Sequence, residues 1–124
     1  MSGSTILVIE DEVSLCDILQ EGLTMEGYNV VTARDGVEGL VKLQDMEPDV
    51  IICDRAMPGM TGYELLERIR GIYPQYRNVP FIFLTALTDA RDKMAVMPLK
   101  PFAYLEKPLD LSVLLQTVER ALGR

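Results

Sequence analysis

Ile6-Leu7-Val8-Ile9-Glu10-Asp11-Glu12 and Val50-Ile51-Ile52-Cys53-Asp54 are built alike: each is a run of apolar, mostly β-branched residues that stops on a carboxylate. Runs of this length, continuously apolar rather than alternating, read as strands buried on both faces. Working outward, the same kind of run places strands over residues 5–10, 29–33, 49–54, 79–84 and 102–105. Between them apolar residues recur at helical spacing, as in Leu15, Ile18, Leu19 and Leu23, and again in Leu65, Ile69, Ile72 and Tyr73. Val37, Leu40 and Val41 mark a helix after Asp35-Gly36, and Gly27 is placed to close the helix before it. The cleanest stripe is Leu111, Leu114, Leu115, Val118 and Leu122, with Asp110 as its N-cap. The stretch 88–97 is the weakest helix, and Pro98 ends it near Met97. Strands alternating with helices along the whole chain imply parallel pairing, right-handed crossovers and helices on both sheet faces. The expected fold is α/β, a doubly wound (βα)5 sheet.

A chain of 124 residues, 48% hydrophobic and 25% charged, fits one globular domain. Its apolar runs fall far short of the ~20 residues of a membrane span. Twelve Lys and Arg against 19 Asp and Glu give a formal charge of −7, with no basic stretch to follow a phosphate backbone. Direct nucleic-acid binding is therefore not expected. Histidine is absent, which excludes Ser-His and Cys-His nucleophiles, imidazole bases and histidine metal sites. Cys16 and Cys53 sit within a helical and a strand pattern, as buried thiols of a reducing compartment would. The seven methionines form no helical stripe and read as gap fillers. Met1-Ser2-Gly3-Ser4 reads as a tail or cloning remnant ahead of a domain spanning 5–123.

In an open parallel sheet, ligands bind beyond the carboxyl ends of the strands. Strand one ends in Glu10-Asp11-Glu12, strand three in Asp54 and strand four in Thr85, while strand five runs into Lys107-Pro108. Taken singly, the acidic trio reads equally as a helix's acidic first turn, Asp54 as a turn residue before Met57-Pro58-Gly59, Lys107 as a solvated charge and Thr85 as a cap. Together they bring complementary groups to one edge. Carboxylates crowded there repel one another, and a divalent cation relieves the conflict. Mg²⁺ suits the all-oxygen donors and keeps waters that substrate oxygens replace. Carboxylates, Mg²⁺, a lysine and a hydroxyl are what in-line phosphoryl transfer requires, with Asp54 as a candidate acceptor.

At these residues the sequence resembles the receiver domain of bacterial two-component response regulators, over essentially the whole chain. The family's acidic pair falls on Glu10-Asp11, its phosphoacceptor on Asp54 in Cys53-Asp54-Arg55-Ala56-Met57-Pro58-Gly59, its hydroxyl on Thr85, its lysine on Lys107 and its switch aromatic on Tyr104. The resemblance implies the flavodoxin-like strand order 2-1-3-4-5. It also implies a cytoplasmic phosphorylation switch in which a histidine kinase or phosphotransfer protein donates a phosphoryl group to Asp54. Asp11, Asp54 and the Ala56 carbonyl would hold Mg²⁺, with Glu10 acting through a water and Lys107 pairing with a phosphoryl oxygen. Thr85 and Tyr104 would then shift, changing the surface of the fourth helix, fifth strand and fifth helix for a downstream protein target, an output domain or a phosphorylation-dependent homodimer. A cis Lys107–Pro108 bond is implied as well. The residues two beyond the acceptor and the hydroxyl, Ala56 and Leu87, would set the lifetime of the phosphorylated state; neither orients a water, so slow hydrolysis is expected.

Three departures stand out: Glu10 where the family more often has aspartate, Arg55 where it usually has an apolar residue, and Pro98-Leu99-Lys100-Pro101-Phe102 in place of a Gly-Ala-containing turn. A haloacid-dehalogenase-like phosphatase would need an aspartate at position 56, where Ala56 stands, and a flavodoxin-like carrier would need a hydroxyl-rich loop in place of Glu10-Asp11-Glu12. A receiver-like interaction module that is never phosphorylated is the remaining alternative.

Overall fold

The computed structural model describes residues 3–86 and 94–123. Its elements are β1 (Thr5–Ile9), α1 (Val13–Met25), β2 (Asn29–Ala33), α2 (Gly36–Leu43), β3 (Val50–Asp54), α3 (Gly62–Ile72) and β4 (Phe81–Thr85). Helical backbone at residues 94–96 (α4), a 3-10 turn over Met97–Leu99, β5 (Ala103–Glu106) and α5 (Leu111–Ala121) complete the chain. The strands pair in parallel in the order β2-β1-β3-β4-β5.

Alternate residues of the strands feed two cores. Ile6, Val8, Val50, Ile52, Ile82 and Leu84 pack with Leu19 and Leu23 of α1 and Leu114 and Val118 of α5. Leu7, Ile9, Ile51, Cys53, Phe81 and Phe83 pack on the other face with Leu43 of α2 and Leu65, Leu66 and Ile69 of α3. This is the doubly wound arrangement, and it accounts for the unbroken apolar runs of β1, β3 and β4. β2 and β5 differ from the two-face burial expected of such runs. They are the edges and stay partly exposed.

Asp35 caps α2 through Glu38 N–H at 2.8 Å, and Asp110 caps α5 as expected. α2 is turned from its expected face: Val37 and Val41 are exposed, while Gly36, Gly39 and Leu43 are buried. The reason is close approach, since a Cβ on Gly39 would collide with Ile9 Cδ1. Ile18 of the α1 stripe is likewise exposed. β4 starts at Phe81 instead of 79, because Pro80 has no N–H and the Val79 carbonyl accepts from Arg70 Nη1 at 3.0 Å. β5 starts one residue late, leaving Phe102 43% exposed instead of sharing a strand face with Tyr104. The α-helix before Pro98 gives way at Met97 to the 3-10 turn, which Lys100 closes in the left-handed region at φ +55°. Lys107–Pro108 is cis. Cys16 and Cys53 are free thiols, Cys53 fully buried with its thiol pushed well up by that burial.

Candidate phosphoacceptor site

The register sets the site's frame. Asp54 lies opposite Leu84, and Thr85, one residue further, lies opposite Glu106. The Glu10 N–H extends β1's pairing to Ala33 O at 3.0 Å, and the Lys107 N–H reaches Thr85 O at 2.7 Å. Backbone pairing thus delivers Glu10, Asp54, Thr85 and Lys107 to the carboxyl edge.

Glu10 is 1% and Asp54 5% exposed, while Asp11 faces solvent. Carboxylate oxygens of all three lie within 4.8 Å of one another. Asp54 Oδ1 accepts from the Ala56 N–H at 3.2 Å and Oδ2 from Lys107 Nζ at 3.2 Å. Glu10 Oε2 accepts from the Glu12 N–H at 3.1 Å. Its Oε1 lies 3.3 Å from Lys107 Nζ as an ion pair but takes no hydrogen bond among the described residues. Burial first, then the neighbouring Asp54 charge, pushes the Glu10 carboxyl up to about 7 against the opposing Glu12 N–H. Burial alone would lower Lys107, but the Asp54 and Glu10 carboxylates outweigh it and hold its ammonium above the ordinary value.

Among the described residues, Lys107 thus pairs with Glu10 and Asp54, two of the three clustered carboxylates. The residual negative charge, the unbonded Glu10 Oε1 and an all-oxygen donor set fit a hard divalent cation. Thr85 is fully buried. Tyr104 is half-buried, its ring 5.8 Å from that of Phe83. Ala56 is exposed at the rim. Leu87 lies outside the described residues.

Two features escape the sequence reading. The Arg55 guanidinium sits over the Tyr63 ring of α3 at 5.3 Å. The start of α3 presses on β3: the Gly62 N–H bonds Arg55 O at 3.0 Å, and a Cβ there would collide with the Asp54 carbonyl. Thr61-Gly62-Tyr63-Glu64 carries the readable signal, a capping box in which Thr61 and Glu64 exchange hydrogen bonds of 3.1 Å.

A sheet of this order with such a cluster at its carboxyl edge defines a class, and comparison with known proteins names it. Residues 6–119 match the family model "Response regulator receiver domain". Response regulator ArlR of Staphylococcus aureus is 38% identical over 119 residues, 96% of this chain and 52% of that protein. Among solved structures, chemotaxis response regulator CheY4 of Vibrio cholerae superposes with a TM-score of 0.90 at 35% identity, covering 98% of this chain and all of that one. The signal receiver domain of a histidine kinase from Syntrophus aciditrophicus gives a TM-score of 0.89 at 34% identity, covering 97% of this chain and 90% of that one. The chain belongs to the receiver domains of two-component response regulators. It spans about half the length of the curated relatives it matches.

Proposed function

We propose that residues 5–123 form a receiver unit that takes a phosphoryl group from a histidine kinase or phosphotransfer protein onto Asp54 and catalyses both that transfer and the later hydrolysis of the group to phosphate. The observation that carries this reading is the buried Asp54 carboxylate joined to Lys107 and set among further acidic oxygens. Asp54 Oδ1 is held by the Ala56 N–H and Oδ2 by Lys107, which fixes the carboxylate plane for attack on phosphorus. As the phosphoryl group arrives, the Lys107 ammonium passes from the carboxylate to a phosphoryl oxygen, and Thr85 supplies a hydroxyl to another. Asp11, Asp54 and the Ala56 carbonyl would hold Mg²⁺, with Glu10 acting through a water. The ion supplies neutralisation of the charge on the transferring group. Tyr104, packed on Phe83 beside Thr85's strand, is the aromatic positioned to follow Thr85 and alter the α4-β5-α5 surface. That surface then meets a downstream protein, an output domain or a second copy. Ala56 and Leu87 set how long the acyl phosphate lasts. A cytoplasmic site of action accords with the free thiols, and no helix among the described residues is long and apolar enough to cross a membrane.

Intact mass after incubation with Mg²⁺ and a small phosphodonor tests the reading. One labile phosphoryl group is expected on the wild type and none on Asp54→Asn. An unmodified wild type would leave the interaction module, and undiminished labelling of Asp54→Asn would move the acceptor elsewhere.

A further inference from the structure

The amino edge of the sheet carries a second charged feature, of the opposite sign. A cleft of about 420 Å³ opens there between the end of α3, the start of β4 and the segment 98–102. Arg70, Arg77 and Lys100 line it with Asn78, Phe102 and apolar walls that include Pro80 and Pro98, and no carboxylate among the described residues lines it. Among the described residues this is a concentration of cations in a chain of net charge −7.

Arg70 forms the back of the cleft. Its Nε donates to Leu99 O at 3.0 Å, Nη1 to Tyr76 O at 3.3 Å and Val79 O at 3.0 Å, and Nη2 to Lys100 O at 3.3 Å. These carbonyls hold the guanidinium's protons but carry no formal charge, and no carboxylate among the described residues pairs with it. Burial presses the guanidinium below its ordinary value, the sign of a cation short of a counterion. Arg77 and Lys100 are exposed, and neither forms an ion pair among the described residues. Lys100 holds a positive φ, a conformation that lysine adopts at a cost and that is found at ligand clamps. Phe102 offers an exposed ring beside these cations.

We propose that this cleft binds a small organic anion, a phosphate ester or carboxylate attached to a flat apolar group. The Arg77 fork and Lys100 take the anionic end, as guanidinium and ammonium groups take phosphate or carboxylate oxygens. Phe102 and the prolines take the apolar end. The volume lies in the range of small-molecule sites, and the proline walls limit the ordering cost of binding. This inference does not depend on the phosphoacceptor reading, because the site lies at the opposite edge and shares no residue with it.

The test is an amide-resolved NMR titration of the metal-free full chain with phenyl phosphate, benzoate, inorganic phosphate and neutral benzyl alcohol. Saturable shifts of amides at 77–79 and 99–102 are expected with both aryl anions. The tighter of the two identifies the anionic group, inorganic phosphate binds more weakly, and benzyl alcohol leaves the region unshifted. Arg77→Gln with Lys100→Gly, which keeps the left-handed turn while removing the charge, should weaken binding at least about tenfold. Asp54→Asn should leave binding unchanged. Should the double variant unfold, Arg77→Gln alone carries the test, since Arg77 is exposed. Equal shifts with benzyl alcohol, shifts confined to the Asp54 edge, no shifts, or charge-removed variants binding like wild type would each overturn the proposal.

Discussion

At the carboxyl edge of the sheet a buried charge is met by other charges, whereas at the amino edge a half-buried one is met by neutral dipoles. Glu10 and Asp54 share Lys107 and remain in excess of it, so that cluster is electrostatically unfinished. Arg70 spends its hydrogen bonds on carbonyls of residues 76, 79, 99 and 100, so it is structurally finished and still charged. A buried ion among countercharges is poised to exchange partners; one among carbonyls is fixed in place and splints the loops around it.

The sharpest way to break this contrast is to remove the splint. Arg70→Ala strips the donor from those four carbonyls, and a loss of about 2–4 kcal/mol is expected. Arg70→Lys should restore less than half, because an ammonium cannot span them. Urea midpoints at constant slope measure both. If Arg70→Ala unfolds like wild type, the amino-edge charge is ornamental and the comparison fails.

A somewhat smaller effect is expected from the unfinished cluster in metal-free protein. The folded state holds the Glu10 proton up to about 7, whereas the unfolded chain releases it near 4.5. The stability this group contributes is thus complete below 4.5 and lost as pH rises through 7. Wild type should lose about 1–3 kcal/mol between pH 5 and 8 on this account. Glu10→Gln should remove that slope and be the more stable protein at pH 8, and Mg²⁺ should flatten the wild-type curve. Thermal melts across the pH series decide it; a wild-type curve that climbs over this window would contradict the sign.

Next in size is the division of labour among the carboxylates. Asp11→Ala should weaken Mg²⁺ binding about tenfold, roughly 1.4 kcal/mol, and Glu10→Ala less, as calorimetric titration would register. The reverse order would make Glu10 the direct ligand. Smallest is the calibrating case of an exposed carboxylate. Asp110 accepts from the Ser112 and Val113 N–H groups at 2.9 and 3.4 Å, and Asp110→Ala should lower the urea midpoint only slightly.

The carboxyl edge was the legible one. Continuous apolar runs ending on Glu10 and Asp54 announce buried parallel strands, and in such a sheet strand ends and sites coincide. Asp35 and Asp110 could be read as caps because capping is local. The amino edge was not legible. Arg70 follows Ile69 in an amphipathic helix and reads as one more solvated cation, since its acceptors come from segments up to thirty residues away. The rotation of α2 escaped for a related reason: glycines carry no hydrophobic signal, yet Gly39 faces Ile9 because nothing larger fits. Arg55 could not be placed until Tyr63 was seen beneath it.

The two edges are joined by one stiff part. α3 begins at Gly62, flush against the Asp54 carbonyl, and carries Arg70 in its last turn. At 1.5 Å per residue its eleven residues make a strut of about 16 Å. A strut seated without clearance at one end and clamped at the other transmits displacement without absorbing it. β3 and the loop before β5 are therefore mechanically in series, and play can enter at either end only by breaking Arg70's clamp or lifting α3 off its seat.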